Sequence, residues 1–373
     1  MNEKKINKKG DSIKVLVAPL DWGLGHATRC IPIIQELLNQ GIEVILAADG
    51  AIASLLKKDF PSLIILPLKG YRISYSRNKK WFFAKIIMHL PRLVSVISCE
   101  KKWLKKVVKE LQIDAVISDN RFGLHHADPY SIYITHQLFI ETGHSFLNKI
   151  AQKIHYRFIN RYDECWVPDA AGEINLAGKL SHPVLKPLVP VKYLGSLSRF
   201  KKESLTHKND LLIILSGPEP QRTIFENTLV NQTESINLSI ALVRGLPGET
   251  AQLKAPDKKL QIYNHLAAEE LNKIIQQSNL ILARAGYSTI MDLVALEKKA
   301  VLVPTPGQTE QEYLAKYLMD KKLFFDADQE GFLLKDVVEK VATFKFAPFT
   351  PIQSNLEKNI NDLIDKLKIR ALQ

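Results

Sequence analysis

The sequence predicts an α/β protein with two doubly wound parallel sheets, one in each half of the chain. Short, uninterrupted runs of Val, Ile and Leu alternate with helix-like segments, which is typical of parallel strands buried on both faces. The rhythm restarts after a polar stretch near residue 200, and 373 residues are too many for one ordinary core. We therefore expect two Rossmann-like domains that face each other across a cleft.

The predicted strands form two groups on either side of that polar stretch. Seven apolar runs precede it, at 13–19, 42–48, 62–68, 114–119, 130–135, 164–169 and 191–196. Five follow it, at 210–217, 238–245, 260–264, 279–286 and 300–305. The charged segment between the groups lacks periodicity, as interdomain linkers do. We place the first domain at 1–198, the linker at 199–209 and the second domain at 210–347.

The last segment, 348–373, predicts an amphipathic helix. Its apolar residues recur at helical spacing, at Leu356, Ile360, Leu363, Ile364 and Leu367. Such a helix needs an apolar surface to cover. It either caps the second domain or crosses back to the first.

The composition restricts the kind of protein. Apolar residues make up 46% and charged residues 24%, which is typical of a folded globular chain. The three cysteines are widely spaced and the first ten residues are polar, so we expect a reducing cytoplasm. No His, Cys and Asp residues occur at metal-ligand spacing, and we expect neither a metal nor a cofactor.

The positive charge is concentrated in one window. The net charge of +12 lies wholly in the first 200 residues, and 69–109 holds twelve Lys and Arg against the single acid Glu100. Aromatic and aliphatic residues are interleaved with these cations, and no stretch free of charge is long enough to span a bilayer. This window is suited to binding an anionic membrane surface, and we expect the protein at the inner face of the plasma membrane. The alternative is that the window forms a solvated helix pair.

The loop LDWGLGHA, 20–27, stands where the first predicted strand meets a helix that we expect to begin near Thr28. Ligands of open parallel sheets bind at this edge. Gly23 and Gly25 allow close approach of the backbone to a ligand, and His26 would lie beside it. Asp119 ends another predicted strand at the same edge. It is either a second catalytic group or a helix cap.

The segment 281–318 is predicted to form a strand, a glycine turn, a helix, another strand and a Pro/Gly-rich loop that enters a second helix. Gly286 allows the turn, and Ser288 and Thr289 can present hydroxyl and backbone N–H groups to phosphate oxygens. Asp292, one helical turn later, can accept hydrogen bonds from two vicinal hydroxyls. Gln308, Glu310, Gln311 and Glu312 suit sugar hydroxyls, or else form a solvated loop and helix cap.

The segment RAGYSTIMDLVALEKKAVLVPTPGQTEQEYLA, together with GLGHATRC, resembles glycosyltransferase family 28, the MurG-like enzymes of the GT-B fold. The resemblance implies a UDP-sugar as co-substrate and a cell-envelope role. It places the diphosphate and ribose on Gly286, Tyr287, Ser288, Thr289 and Asp292, the sugar on Glu310 and Gln311, and the uracil on the turn that includes Tyr263 and Asn264.

Two segments depart from the family pattern. SGPEPQR, 216–222, stands at the family's glycine-rich loop, where Gly217 remains but two prolines remove backbone donors. Arg222 or Arg199 would then supply positive charge. In THQLFIETG, 135–143, only Gln137 is clearly shared with the family's acceptor-side segment.

These features predict hexosyl transfer, including N-acetylhexosaminyl transfer, from a UDP-sugar to a hydroxyl of a lipid-linked or membrane-presented glycan. His26 is the expected base and Asp119 the second candidate, while a helix N-terminus replaces a metal at the leaving group. The main alternative is a UDP-sugar hydrolase, because GLGHATRC also resembles a hydrolase loop of pseudaminic acid synthesis. A nucleotide-sugar sensor is a third alternative. Nucleic-acid binding is disfavoured, since no such motif accompanies the basic window.

Overall fold

The computed structural model describes residues 12–71, 82–251, 253–256, 258–350 and 352–372, and the side chains of all of these except 82–91. The first domain is built on a parallel sheet of seven strands in the order β3-β2-β1-β4-β5-β6-β7. The strands are β1 Lys14–Pro19, β2 Glu43–Ala48, β3 Ile64–Pro67, β4 Ala115–Asp119, β5 Tyr130–Ile134, β6 Glu164–Val167 and β7 Val191–Tyr193.

The second domain is built on a parallel sheet of six strands in the order β10-β9-β8-β11-β12-β13. The strands are β8 Asn209–Ile214, β9 Ile240–Val243, β10 Leu260–Tyr263, β11 Ser278–Ala283, β12 Ala300–Leu302 and β13 Phe325–Asp326. The short edge strand β13 was missed by sequence reasoning, because two residues carry no periodic signal. The predicted pair of doubly wound sheets is confirmed.

Ten helices in the described part of the chain cover the sheets. They are α1 Leu24–Asn39, α2 Gly50–Asp59, α3 Phe82–Leu111, α4 Ser145–Ile159, α5 Gln221–Thr233, α6 Ala268–Gln276, α7 Tyr287–Ala295, α8 Thr309–Asp320, α9 Leu334–Thr343 and α10 Leu356–Ala371. Helix α1 buries one stripe at 3.6-residue spacing, including Ala27, Cys30, Ile34 and Leu37. None of the helices described is long and apolar enough to cross a bilayer.

Helix α1 begins at Leu24, four residues before the predicted start near Thr28. Gly23 precedes it with φ 90°, a left-handed conformation that glycine adopts without steric cost. The chain therefore turns directly from β1 into the helix. As a result His26 lies in the first helical turn rather than in a free loop.

Helix α10 crosses back to the first domain. All five residues of its predicted apolar stripe are buried. Before the helix, the backbone N–H of Asn355 donates to Leu194 O at 2.8 Å. Near its end, Lys366 Nζ pairs with the buried carboxylate of Glu164, and Arg370 donates to Ala127 O at 2.8 Å. The second of the two alternatives for this helix is therefore the correct one.

Each sheet has one point at which the strand order reverses, between β1 and β4 and between β8 and β11. Pro19 pairs with Asp119 at the first point, and Ile214 with Ala283 at the second. A reversal opens a crevice at the carboxyl ends of the strands, because the flanking connections leave in opposite directions. Asp119 is the last residue of β4, whereas His26, Gly217 and Gly286 follow the ends of β1, β8 and β11.

Candidate active site

His26 and Asp119 meet at the reversal point of the first sheet. His26 Nδ1 lies 3.2 Å from both carboxylate oxygens of Asp119. Asp119 is fully buried, and the His26 side chain is 15% exposed. The residue after Asp119, Asn120, has φ 54°, which ends the strand abruptly and leaves the carboxylate at the sheet edge. The two residues predicted as catalytic are thus in direct contact.

Arg29, which the sequence analysis left without a role, is the centre of this cluster. Its Nε donates to Asp119 Oδ2 at 2.7 Å, and its Nη2 donates to Oδ1 of the same carboxylate. Nη2 also lies 2.7 Å from His26 Nδ1. The guanidinium is one helical turn after His26 on α1 and is 2% exposed. A buried fork of this kind satisfies both charges and fixes the carboxylate.

The cluster sets the protonation of its members. Burial, and after it the charge of Arg29, lower the pKa of His26 below its ordinary value of 6.5, although Asp119 opposes both. Burial alone would raise the pKa of Asp119, but Arg29 and His26 hold it well below its usual range. At neutral pH His26 is therefore uncharged and Asp119 is an anion.

The cluster continues into the second domain through His136. Arg29 Nη1 lies 3.1 Å from His136 Nδ1, and His136 Nε2 lies 2.6 Å from Glu310 Oε1. The ring of His136 stacks on Tyr287 with centroids 4.1 Å apart and an interplanar angle of 2°. Tyr287 is itself buried, and its hydroxyl donates to Pro168 O at 2.7 Å. His136 adjoins the predicted Gln137 and had not been singled out.

The two domains touch along an interdomain seam formed by Gly25, His136, Tyr287, Ser288 and Glu310. Ser288 Oγ donates to Gly25 O at 2.8 Å. A Cβ on Gly25 would lie 3.0 Å from that hydroxyl oxygen, so glycine permits this close approach. The N-terminal turns of α1 and α7, 263 residues apart in the chain, are thus brought into contact.

Asp292 lies beside the linker, one turn after Ser288 on α7. Ser198 Oγ donates to Asp292 Oδ1 at 2.6 Å. Burial raises the pKa of Asp292 to about 6, against the hydrogen bond from Ser198 and the charge of Arg199. Arg199 is largely buried, and its Nε and Nη1 have no hydrogen-bond partner among the described residues. A polar ligand could satisfy these nitrogens.

Several other predicted residues are engaged within the second domain. Arg222 is neutralised by Glu219 at 2.6 Å and Glu226 at 2.7 Å, so it does not offer a free charge. Gln311 is buried, accepts from Thr305 N at 2.9 Å, and donates to Gln308. Its side chain therefore braces the loop in this state.

The remaining predicted residues are spread around the two crevices. Gly217 has φ 101° and faces Thr305, while Gly286 caps the N-terminus of α7, where Thr289 is partly exposed. Tyr263 ends β10, and the Asn264 side chain accepts from Arg244 at 2.8 Å. Gln137 is partly buried, and its N–H donates to Thr135 at 3.0 Å. No group of three or more potential metal ligands lies together in the described part of the chain.

The fold and the facing reversal points define a GT-B architecture, the class in which two Rossmann-like domains share one cleft. Residues 227–367 match the glycosyltransferase family 28 C-terminal domain. The predicted resemblance to this family is therefore confirmed for the second domain and the start of the last helix. Its likeness to transferases extends over most of the sequence.

Three similar proteins illustrate this. A glycosyltransferase of Methanosarcina acetivorans is 22% identical over 322 residues, covering 80% of this chain and 82% of the relative. A Clostridium tetani enzyme named UDP-N-acetylglucosamine–N-acetylmuramyl-(pentapeptide) pyrophosphoryl-undecaprenol N-acetylglucosamine transferase is 23% identical, covering 92% and 95%. The solved glycotransferase of kitacinnamycin superposes with a TM-score of 0.65 at 13% identity, covering 96% and 95%, which supports the fold. The expectation of a glycosyltransferase is thus supported.

Proposed function

We propose that this protein transfers a hexosyl or N-acetylhexosaminyl group from a UDP-sugar to a hydroxyl of a lipid-linked or membrane-presented acceptor, without a metal. The observation that carries the proposal is the meeting of His26 and Asp119 with the donor-type turn of α7, through the contact of Gly25 with Ser288. A base and a phosphate-binding helix N-terminus then face the same cleft. The second domain would hold the donor and the first domain the acceptor.

In this mechanism His26 accepts the proton of the acceptor hydroxyl at Nε2, the ring nitrogen opposite Asp119. Its lowered pKa keeps the ring neutral and able to act as a base at pH 7. Asp119 stabilises the imidazolium that forms. The N–H groups at the start of α7 stabilise the departing diphosphate, and Asp292 accepts hydrogen bonds from the ribose hydroxyls.

The proposed membrane association gains a new physical basis in α4. Three exposed apolar side chains recur every four residues on this helix, Phe146 at 71%, Ile150 at 41% and Ile154 at 52% exposure. The adjoining loop 183–189 exposes Val184, Leu185 and Leu188, and it is tied to α4 by a hydrogen bond from Tyr156 to Leu185 O. We call this set the α4 surface. Apolar area of this kind on a helix is typical of contact with a lipid headgroup region.

The charge around the α4 surface has the sign that an anionic membrane needs. Lys149, Lys153, Arg157 and Lys186 are exposed beside it, and the sequence from 145 to 162 holds no acidic residue. Each such cation near an anionic surface contributes on the order of 1 kcal/mol. We therefore propose that the protein associates with the inner face of the plasma membrane from the cytoplasm.

The basic window 69–109 is a second contributor to this association. Residues 72–81, and the side chains of 82–91, lie outside the described part of the structure. From Arg92 onward, α3 packs an apolar face in the core, with Leu104 and Val108 buried, and directs lysines such as Lys102 and Lys105 to solvent. The described half of the window is thus an ordinary solvated helix face that adds positive potential.

The donor test is a thermal-shift screen of the full chain with UDP-GlcNAc, UDP-Gal, UDP-Glc, GDP-Man and dTDP-sugars. We expect a rise in melting temperature with one or more UDP compounds, because a ligand that binds only the folded state stabilises it. No shift with any UDP compound would remove the donor assignment. The same screen on His26→Ala should give the same shift, since His26 is not assigned to the nucleotide.

The catalytic test compares turnover of His26→Ala and the wild type with the donor so identified. Removal of a general base costs roughly 10²–10⁴-fold in rate. A nucleotide-sugar sensor would lose no function when His26 is replaced. A hydrolase would release free sugar from the donor at the full wild-type rate even when no acceptor is present. The relatives described above are transferases, and no observation favours the hydrolase.

A further inference from the structure

The hydrogen bonds around Arg29 determine where the proton of each neighbouring imidazole lies. A guanidinium can only donate, and a neutral imidazole has one donor and one acceptor nitrogen. Arg29 Nη2 is 2.7 Å from His26 Nδ1, while the carboxylate oxygens of Asp119 are farther from that nitrogen, at 3.2 Å. The shorter contact is possible only if Nδ1 is an acceptor. The proton of neutral His26 is then on Nε2.

The same assignment of hydrogen-bond donors and acceptors applies to His136 and gives a consistent result. Arg29 Nη1 is 3.1 Å from His136 Nδ1, which must therefore accept. Its proton lies on Nε2, where it is donated to Glu310 Oε1 at 2.6 Å. The three contacts that link Glu310, His136, Arg29 and His26 then each pair one donor with one acceptor. One protonation pattern thus satisfies residues of both domains.

We propose that Arg29 is a positioning residue that fixes His26 as the Nε2–H tautomer in the ligand-free, closed chain, and that Glu310 holds Arg29 in place through His136. This inference concerns the resting state, and only its consequence rests on the proposed function. In that state neither candidate base is available, because His26 Nε2 carries a proton and Asp119 is fully engaged by Arg29.

Release follows when a ligand hydroxyl engages Glu310 in place of His136. Arg29 Nη2 then turns away from His26 Nδ1. His26 loses the Nε2 proton to solvent and takes one from solvent at Nδ1, where Asp119 accepts its hydrogen bond, so the number of protons on the ring is unchanged. Nε2 then has a free lone pair facing the cleft. Occupation of the sugar subsite in one domain thereby prepares the base in the other.

The tautomer of His26 can be read directly by two-bond ¹H–¹⁵N correlation spectra of the full chain labelled with ¹⁵N-histidine, at pH 8 and without ligand. The His26 signals are identified by their loss in His26→Gln. We expect Nε2 to carry the proton in the wild type. A spectrum with the proton on Nδ1 would overturn the proposal before any variant is made, and it would leave the donor screen unaffected.

Two variants test the roles of Arg29 and Glu310. Arg29→Lys keeps the charge but cannot bridge two rings, and Glu310→Ala removes the anchor of His136. We expect the ratio of the two His26 tautomers to shift toward Nδ1–H by about tenfold in each, which corresponds to about 1.4 kcal/mol. Glu312→Ala is the matched control, because Glu312 lies on the same helix and accepts from Gly307 N.

The outcomes are distinct. If Arg29→Lys does not fold, Glu310→Ala and the wild-type spectrum still decide the matter, because Glu310 is partly exposed at 34%. Unchanged tautomer ratios in both variants would show that Arg29 has only a structural role. A shift in Glu312→Ala as large as that in Glu310→Ala would show that the effect is not specific to the His136 contact.

Discussion

Asp292 is a buried carboxylic acid, and its burial disfavours the ionised form. Its pKa of about 6 lies above the unfolded value of about 3.9, so the folded state holds the proton more tightly between these values. Folding stability is therefore greatest below the unfolded pKa and falls as the pH rises through about 6. The shift of about two units corresponds to roughly 2–3 kcal/mol.

This predicts that Asp292→Asn is more stable than the wild type at pH 8 and equally stable near pH 4. The amide can still accept from Ser198, and the substitution removes a buried charge whose pKa stays raised despite the neighbouring charge of Arg199. Urea unfolding at both pH values measures the difference. Asp365→Asn on the exposed face of α10 is the control. Lower stability of Asp292→Asn at pH 8 would contradict the assignment of a destabilising charge.

The residues of the site differ in how visible they are in the sequence. His26 and Asp119 were found because each follows an apolar run, and the ends of parallel strands converge. Arg29 and His136 could not be assigned, since their partners lie 90 and 174 positions away, Asp119 in one case and Glu310 in the other. A helical turn from His26 to Arg29 was the only available signal.

Among the helices, α4 presents a testable surface. Replacement of Ile154 by Glu places a charge at the C-terminal end of the exposed stripe, and the side chain is 52% exposed, so the core is not disturbed. We expect cosedimentation with vesicles of phosphatidylglycerol and phosphatidylethanolamine to weaken by about tenfold, because apolar burial and charge attraction are both reduced. Ile224→Glu on α5 is the matched control, since Ile224 is 47% exposed in the second domain and has no basic stripe beside it.

Two outcomes would count against the α4 surface. An equal loss of vesicle binding in both variants would indicate a general charge effect. Full vesicle binding by Ile154→Glu would indicate that the window 69–109 makes the membrane contact instead. The stripe itself was present in the sequence as Phe146, Ile150 and Ile154. Its spacing is equally typical of a core-facing helix, so exposure could be learned only from the fold.

At the scale of elements, strands were the most predictable part of the structure. Each long Val, Ile and Leu run proved to be a parallel strand, because burial on both faces leaves an uninterrupted apolar signature. The start of α1 was placed four residues late. The prediction treated both glycines as loop, whereas only Gly23 has a positive φ and Gly25 lies inside the helix.

For the whole molecule, the seam between the domains depends on the missing side chain at Gly25. Alanine there would lie 3.0 Å from Ser288 Oγ and 3.5 Å from its Cβ, so the hydroxyl is the atom in conflict. We expect Gly25→Ala to destabilise the state in which the domains touch along the interdomain seam by about 1 kcal/mol. In the Ser288→Ala background this cost should largely vanish, since only an ordinary contact remains.

A double-mutant cycle by thermal unfolding, with small-angle scattering to follow compactness, measures this coupling. Gly172→Ala is the control, because a Cβ at Gly172 meets no atom within 4 Å. Additive effects of Gly25→Ala and Ser288→Ala would show that the two residues do not touch in solution. The domain bounds 1–198, 210–347 and 348–373, with the linker 199–209, remain our proposal for the parts that move.

The chain passes between the domains twice, before β8 and again before α10, and the two passages lie side by side. Gly195 in the first has φ 81°, and a Cβ there would lie 2.3 Å from Gln353 O in the second. We expect two adjacent backbone segments to permit rotation of the domains about one axis and to resist sliding. Ser198 and Asp292 lie close to that axis and should move least. The ribose side of the proposed donor site would then keep its geometry when the domains are apart. His26 and Glu310 would come together only when the domains close.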